Sequence, residues 1–259
     1  MLVRQVLTGV AEAIDLDARD LYEISVAVTE ACNNVVVHAY RGDEGPLEVE
    51  VYVRPAVMEV VVRDRGVGIE LAPEESAGTG LSVIRALSRS VALSAAAGSG
   101  TDVWMRFDTP RTRELAPTST EQLELPTPEE AGSDTAIEII LAPAHLSRTI
   151  LPRLLSVFAA RAHFTMERLV DGQLVADELA AGVESSTGGG HLSVGISAQP
   201  RGLELRLAPL RAGHANRLLR NTSLGGLGPV IRKLSTQHRV TTLASGDREM
   251  LALRLVQSP

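Results

Sequence analysis

One cysteine, Cys32, stands in a chain of 259 residues. A single thiol forms no internal disulfide and no cysteine-based metal cluster, which points to a reducing compartment, the cytoplasm. Cys32 falls in an apolar helical stretch, where a cysteine reads as buried filler rather than a reactive thiol. Lysine is equally scarce: Lys233 is the only one among 25 basic residues. That bias speaks of a GC-rich genome and not of a function. No run approaches the roughly 18 apolar residues a membrane helix needs. The first residues lack the basic-then-apolar layout of a secretory leader. The net charge is −7 and the pI about 5.4. A nucleic-acid binder usually shows a basic stripe, and an anionic membrane repels an acidic surface, so neither partner is expected.

What is present is a globular composition, 44% hydrophobic and 22% charged, long enough for one large domain or two of modest size. Leu2, Val6, Val10 and Ile14 recur every four residues and predict a first helix. A second helix is expected over residues 20–39, with Ile24, Val28, Ala31 and Val35 as its buried stripe. Residues 47–53 alternate apolar and acidic side chains, the pattern of a half-exposed strand. Residues 57–63 read as a more buried strand, residues 81–90 as a helix, and residues 91–95 and 102–107 as two further strands.

Residues 109–134 change character. Pro110, Pro117, Pro126 and Pro128 lie among threonine, serine and glutamate, a composition that buries too little apolar surface to order itself. This is read as a linker between a domain at 1–108 and another at 135–259. Beyond it come a strand (136–141), helices (146–162 and 166–183), a strand pair (192–197 and 203–207), a short helix (230–234) and two strands (240–244 and 250–256). The order repeats that of the first half, which suggests a duplication. The second half opens with a strand that the first half lacks, since Met1 already lies at a helix start. Either the native start lies upstream or the first copy is short of an edge strand.

Four motifs carry chemistry. Glu30 and Asn34 are four apart on a helix and share a face beside the apolar stripe. A carboxylate and an amide there can hold a hydrated Mg²⁺ and an attacking hydroxyl beside a phosphate. An apolar strand then runs into Asp64, Gly66 and Gly68; the aspartate can accept a hydrogen bond from an exocyclic amine such as that of adenine, and glycines admit a flat ring close to the backbone. Gly78, Thr79, Gly80 and Leu81 open a helix whose free N–H groups and dipole suit phosphates. Gly98, Gly100 and Thr101 mark a turn into the last strand. Taken singly, each has an ordinary explanation: a solvated helix face, turn chemistry, a helix cap, a β-turn.

Together, in this order and within one domain's length, they resemble the N, G1, G2 and terminal Gly-Thr boxes of the GHKL ATPases, the superfamily of gyrase, the heat-shock chaperone ATPase and sensor histidine kinases. Glu30, Cys32, Asn33 and Asn34, with His38, Ala39 and Tyr40 downstream and a short segment 69–77 before the third motif, resemble the bacterial anti-sigma-factor serine/threonine kinases. The resemblance implies a two-layer α/β sandwich (the Bergerat fold) with a mixed, mostly antiparallel sheet and helices on one face, in two tandem copies. It implies ATP and Mg²⁺ as cofactors, Glu30 as catalytic base, Asn34 as the Mg²⁺ ligand and Asp64 as the adenine reader, with Gly66 and Gly68 beside it. Gly78, Thr79, Gly80 and Leu81 become the phosphate loop, Thr101 the last nucleotide contact, and Arg4 a partner contact. The implied partners are a sigma factor and a STAS-domain anti-anti-sigma protein.

The second copy departs from the pattern. Glu178 matches Glu30, but Gly182 stands where Asn34 would be and Pro209 where Asp64 would be, so fold without nucleotide is expected there. His191, His214 and His238 show no metal-ligand spacing. The alternative to a kinase is an inactive, ATP-dependent interaction module, and a weaker one is a sensor-kinase fragment. A pseudo-dimer within one chain is a further expectation.

Overall fold

The structure, a computed structural model, describes residues 2–40, 45–66, 79–95, 100–109, 137–187, 190–221 and 229–257. Most of the expected linker, together with Gly68 and Gly78, lies outside these residues. The chain divides into two compact units, the first taking in residues 3–118 and 133–140, the second residues 141–259.

In the first unit, α1 (Leu2–Ile14) buries Val6, Leu7, Val10, Ala11 and Ile14 on one stripe. Helix α2 (Ala18–Asn34) is capped by Asp17, whose carboxylate accepts the N–H groups of Arg19 and Asp20. Two of the helix's first, otherwise unpaired donors are thereby satisfied. The expected single helix to residue 39 is two pieces. After Asn34 the chain widens into a π-helix, Val35–Ala39. Such insertions cluster at functional sites because they re-aim the side chains around them. Burial pushes the Cys32 thiol up to about 12, the behaviour of an inert core sulfur.

The sheet is built from β1 (Leu47–Arg54), β2 (Val57–Asp64), β3 (Ser90–Ala95) and β4 (Thr101–Asp108), in the order β3-β4-β2-β1 with antiparallel neighbours. Helix α3 (Thr79–Leu87) joins β2 to β3 and ends earlier than the pattern suggests. Val49, Val51, Val53, Met58, Val60, Val62, Val103, Met105 and Phe107 point to one face and are buried with Ile84 of α3. Residues 137–140 of β5 (Ile137–Ala142) group with this unit, and β5 neighbours β1. Strand β1 therefore has neighbours on both sides.

The outer face corrects the expectation of a half-exposed β1. Glu48 and Glu50 are 8% and 3% exposed. Register explains it: Arg63 of β2 stands opposite Glu48 on one side and Asp102 on the other. Its Nη1 donates to Glu48 Oε1 at 2.5 Å and Glu50 Oε1 at 2.7 Å, and its Nε to Asp102 Oδ1 at 2.9 Å. Tyr52 Oη donates to Glu50 Oε2 at 2.8 Å. Three carboxylates thus share one guanidinium. Burial, a hydrogen bond with Glu50, and the Glu50 and Glu138 charges raise Glu48 from its ordinary 4.5 to about 7, against the pull of Arg63.

In the second unit, α4 (Ser147–Arg161) follows a short 3-10 turn, and α5 (Met166–Thr187) runs one turn beyond the expected end at residue 183. Strands β6 (Leu192–Gln199), β7 (Gly202–Arg211), β8 (Gln237–Thr242) and β9 (Arg248–Val256) lie in the order β8-β9-β7-β6, again antiparallel. Strand β8 begins before the expected start at residue 240. Between β7 and α7 (Val230–Leu234) lies a helix the sequence reading missed, α6 (His214–Arg220). Its Ala215, Leu218 and Leu219 are buried. Seven residues and three apolar positions are too short a window for periodicity to stand out.

Candidate functional site

The site lies where α2, the end of β2, the start of α3 and the start of β4 meet. Glu30 and Asn34 lie one helical turn apart on α2, both half-buried. Both reach the backbone of Gly80, the second residue of α3. A Cβ built on Gly80 would collide with Glu30 Oε1 and lie 3.2 Å from Asn34 Oδ1. With glycine there, the Glu30 carboxylate occupies the space a side chain would take; any larger residue must push that side-chain end aside. Leu81 follows on the same helix, half-buried, and Thr79 begins it. The first turn of α3 thus presents its N-terminal backbone beside a carboxylate and an amide. Helix N-termini carry partial positive charge and favour anions.

Asp64 is the last residue of β2 and is only 3% exposed. Its side chain lies on the helix-facing side of the sheet, with Val60 and Val62. The Gly66 N–H turns back to donate to Asp64 Oδ1 at 2.8 Å. Gly66 is packed so tightly on the Ala39 carbonyl that a Cβ would collide with it. On the opposite side, Gly100 has φ +83° and abuts the Asp64 carbonyl, again with no room for a Cβ. A left-handed φ and a close backbone approach both call for glycine.

Thr101 follows Gly100. Register sets it beside Asp64 at the same end of the sheet, since Arg63 pairs with Asp102. Thr101 is 3% exposed, and among the described residues its buried Oγ1 has no hydrogen-bond partner. A buried hydroxyl left unpaired costs roughly 1–3 kcal/mol unless a ligand or water completes it. A buried carboxylate and an orphaned hydroxyl thus stand at the same end of the sheet.

Arg4 is exposed on α1, where its Nε donates to Thr29 Oγ1 at 3.5 Å. It stands on the residue next to Glu30 but belongs to the helix surface rather than to the cluster around Gly80. Tyr40, quoted in the first motif without a role, proves to join two parts of the site. Its hydroxyl accepts the Arg65 N–H at 3.0 Å and donates to the Pro46 carbonyl at 2.5 Å.

With this geometry in place, comparison with known proteins bears on the first unit. Residues 1–107 match the family of histidine kinase-like ATPase domains. The match spans the first unit, 107 of the chain's 259 residues. Over 69 residues the chain is 30% identical to the serine-protein kinase RsbW of Bacillus thuringiensis (strain Al Hakam), covering 27% of this chain and 43% of that protein. Over 75 residues it is 29% identical to the RsbW of Bacillus mycoides (strain KBAB4), covering 29% and 47%. The match thus spans under half the length of these curated relatives. Among solved structures, the histidine kinase domain of the Erythrobacter litoralis EL346 blue-light activated kinase aligns at 23% identity and TM-score 0.30, over 34% of this chain and 47% of that one. The mycobacterial sensor histidine kinase MprB aligns at 19% and 0.29, over 35% and 73%.

The positions of the second unit that the sequence pattern lines up with these differ in kind. Glu178 on α5 is fully buried. At Gly182, one turn on, the space for a side chain is taken by Leu218 Cδ2 of α6. Pro209 interrupts β7, whose pairing with β9 shifts register between Leu207 and Leu210. A proline has no N–H to give the ladder, so an irregularity there follows from the residue itself. Among the described residues no helix is long and apolar enough to cross a membrane.

Proposed function

We propose that the first unit binds Mg-ATP between α2, α3 and the β2 and β4 ends, and transfers the γ-phosphoryl group to a serine or threonine of a partner protein. The observation that carries this reading is the convergence of Glu30 and Asn34 on the Gly80 backbone, at the start of a helix, with Asp64 and the orphaned Thr101 hydroxyl at the neighbouring sheet end. Asp64 would accept from the adenine amine and Thr101 would complete that pocket. The backbone around Thr79, Gly80 and Leu81 would receive phosphates, with Gly78 preceding it.

Glu30 would orient the acceptor hydroxyl and take its proton. Asn34 would hold Mg²⁺, which supplies charge neutralisation at the phosphates. Among the described residues no group of three or more His, Cys, Asp or Glu forms a metal site of its own. That fits Mg²⁺, which is commonly held by one or two protein groups together with the phosphates themselves. Phosphoryl transfer asks for little more than such positioning and charge stabilisation.

Similarity to the RsbW serine-protein kinases supports the kinase reading and suggests the partners: a STAS-type anti-anti-sigma protein as acceptor and a sigma factor as the protein held, with Arg4 on the docking surface. We read the second unit as a degenerate copy. The strand order β8-β9-β7-β6 follows the same connections as β3-β4-β2-β1, and Leu218 fills the place where an Asn34 equivalent would project.

A second reading is an ATP-dependent binding module without transferase activity. The degenerate second copy favours it, since such a unit survives most readily as an interaction surface. Calorimetry with Mg-ATP on the full chain and on Asp64→Ala tests the shared part: one site per chain, lost in the variant, is expected. A phosphotransfer assay with a STAS-domain acceptor then separates kinase from module. No binding by the parent chain would overturn both.

A further inference from the structure

We infer that Tyr40 is a positioning residue for base recognition, acting by prising the end of the β1–β2 ladder apart with its hydroxyl; this rests on the ATP reading above. Leu47 pairs with Asp64 at the end of that ladder. The next rung outward would join Pro46 and Arg65. That rung is not made directly. The Tyr40 hydroxyl stands between its two halves, accepting from the Arg65 N–H at 3.0 Å and donating to the Pro46 carbonyl at 2.5 Å.

The consequence falls on Asp64. With Arg65 held off the ladder by one oxygen, the chain turns at Gly66, and the Gly66 N–H reaches back to Asp64 Oδ1 at 2.8 Å. That bond fixes the carboxylate plane and assigns Oδ2 to an incoming amine. The turned loop is wedged against the Ala39 carbonyl, next in sequence to Tyr40, and against Gly100. Tyr40 is itself held in place. It follows directly on the π-helix that ends at Ala39, and its ring occupies the space of any side chain at Gly45. Burial, then the Asp64 charge, raise the phenol above its ordinary 10, outweighing the Arg65 N–H, so it keeps the proton it donates to Pro46.

Without the hydroxyl, the Arg65 N–H and the Pro46 carbonyl would close on each other. The ladder would gain a rung, and Gly66 would lose its turn. The affected quantity is therefore discrimination between bases, not overall affinity for a nucleotide. ADP, whose base offers an amine, and IDP, whose base offers a carbonyl in its place, report it directly.

The experiment is calorimetry of both diphosphates on the full chain and on Tyr40→Phe, with thermal melts of each protein. The parent is expected to prefer ADP over IDP. In Tyr40→Phe the ADP dissociation constant should rise about fivefold to tenfold, the size of one ordinary net hydrogen bond, while that of IDP stays within about twofold. Equal losses for both, or an unmoved ratio, would overturn the inference while leaving the ATP site standing. A parent that binds neither diphosphate would overturn the ATP site and the inference together. Should Tyr40→Phe fail to fold, Gly45→Ala displaces the ring from outside, and the same fall in the ADP-to-IDP preference is required of it.

Discussion

The Glu30 carboxylate lies against the backbone of Gly80 so closely that a single methyl at Gly80 would overlap its Oε1. The proposed catalytic carboxylate and the helix proposed to face the phosphates are thus registered against each other by contact. A Gly80→Ala change must displace Glu30, the start of α3, or both. A misplacement of about 1 Å in such a site can cost about 100-fold in rate. We expect phosphotransfer to fall by about that factor with a melting temperature little changed, as a kinetic assay and a thermal melt would show.

Removing the carboxylate chemistry while keeping its shape gives a different signature. Glu30→Gln should retain Mg-ATP binding within a few-fold and lose about 10²–10⁴-fold in transfer, the usual worth of a general base. If the acceptor protein is phosphorylated by the variant at the parental rate, Glu30 is not the base.

Asp64→Asn keeps the size of a 3%-exposed side chain but exchanges an acceptor for a group that is half donor. Loss of a hydrogen bond to a charged group costs about 1.5–3 kcal/mol. The ATP dissociation constant should rise about 10-fold to 100-fold. Residual binding at full strength and a stoichiometry above one per chain would show that the second unit also takes nucleotide.

That second unit should resist repair. Gly182→Asn places an amide where Leu218 Cδ2 already packs, so it should destabilise by overcrowding, typically by about 1–3 kcal/mol, without creating a second ATP site. Denaturant melts read the first effect and calorimetry on an Asp64→Ala background reads the second.

The outer sheet face makes stability depend on pH. Glu48 faces Glu50, Arg63, Glu138 and, at 3.8 Å, Arg65. Its folded value of about 7 lies above the ordinary 4.5, chiefly through burial. The folded state therefore binds more protons than the unfolded one across that window, and this group's contribution to stability falls as pH rises through it. The melting temperature should drop between pH 5.5 and 7.5, and Glu48→Gln should flatten the slope. An equal slope in the variant would assign the dependence to other groups.

Residues near in sequence fixed much of this protein by local physics. The four-residue recurrence of Val6, Val10 and Ile14 makes a helix with one apolar stripe, and the alternation through Val49, Val51 and Val53 makes a strand with one buried face. The Glu30–Asn34 spacing brings both side chains to one side of α2, and the glycines at 66, 80 and 100 mark backbone that must be approached closely. Such features were legible because each depends on a few neighbours along the chain.

Tertiary structure decided the rest, because it depends on what arrives from elsewhere. Nothing in the alternation of β1 reveals that Glu48 and Glu50 are buried; register brings Arg63 between them and Asp102. Nothing around Gly182 announces that Leu218, from a helix too short to show a period, fills its vacant side-chain space. The π-helix after Asn34 and the Tyr40 hydroxyl between Pro46 and Arg65 have no signature in residue spacing. They follow from the meeting of one helix end with one strand end, where a hydrogen bond takes whichever donor and acceptor the packing leaves within reach.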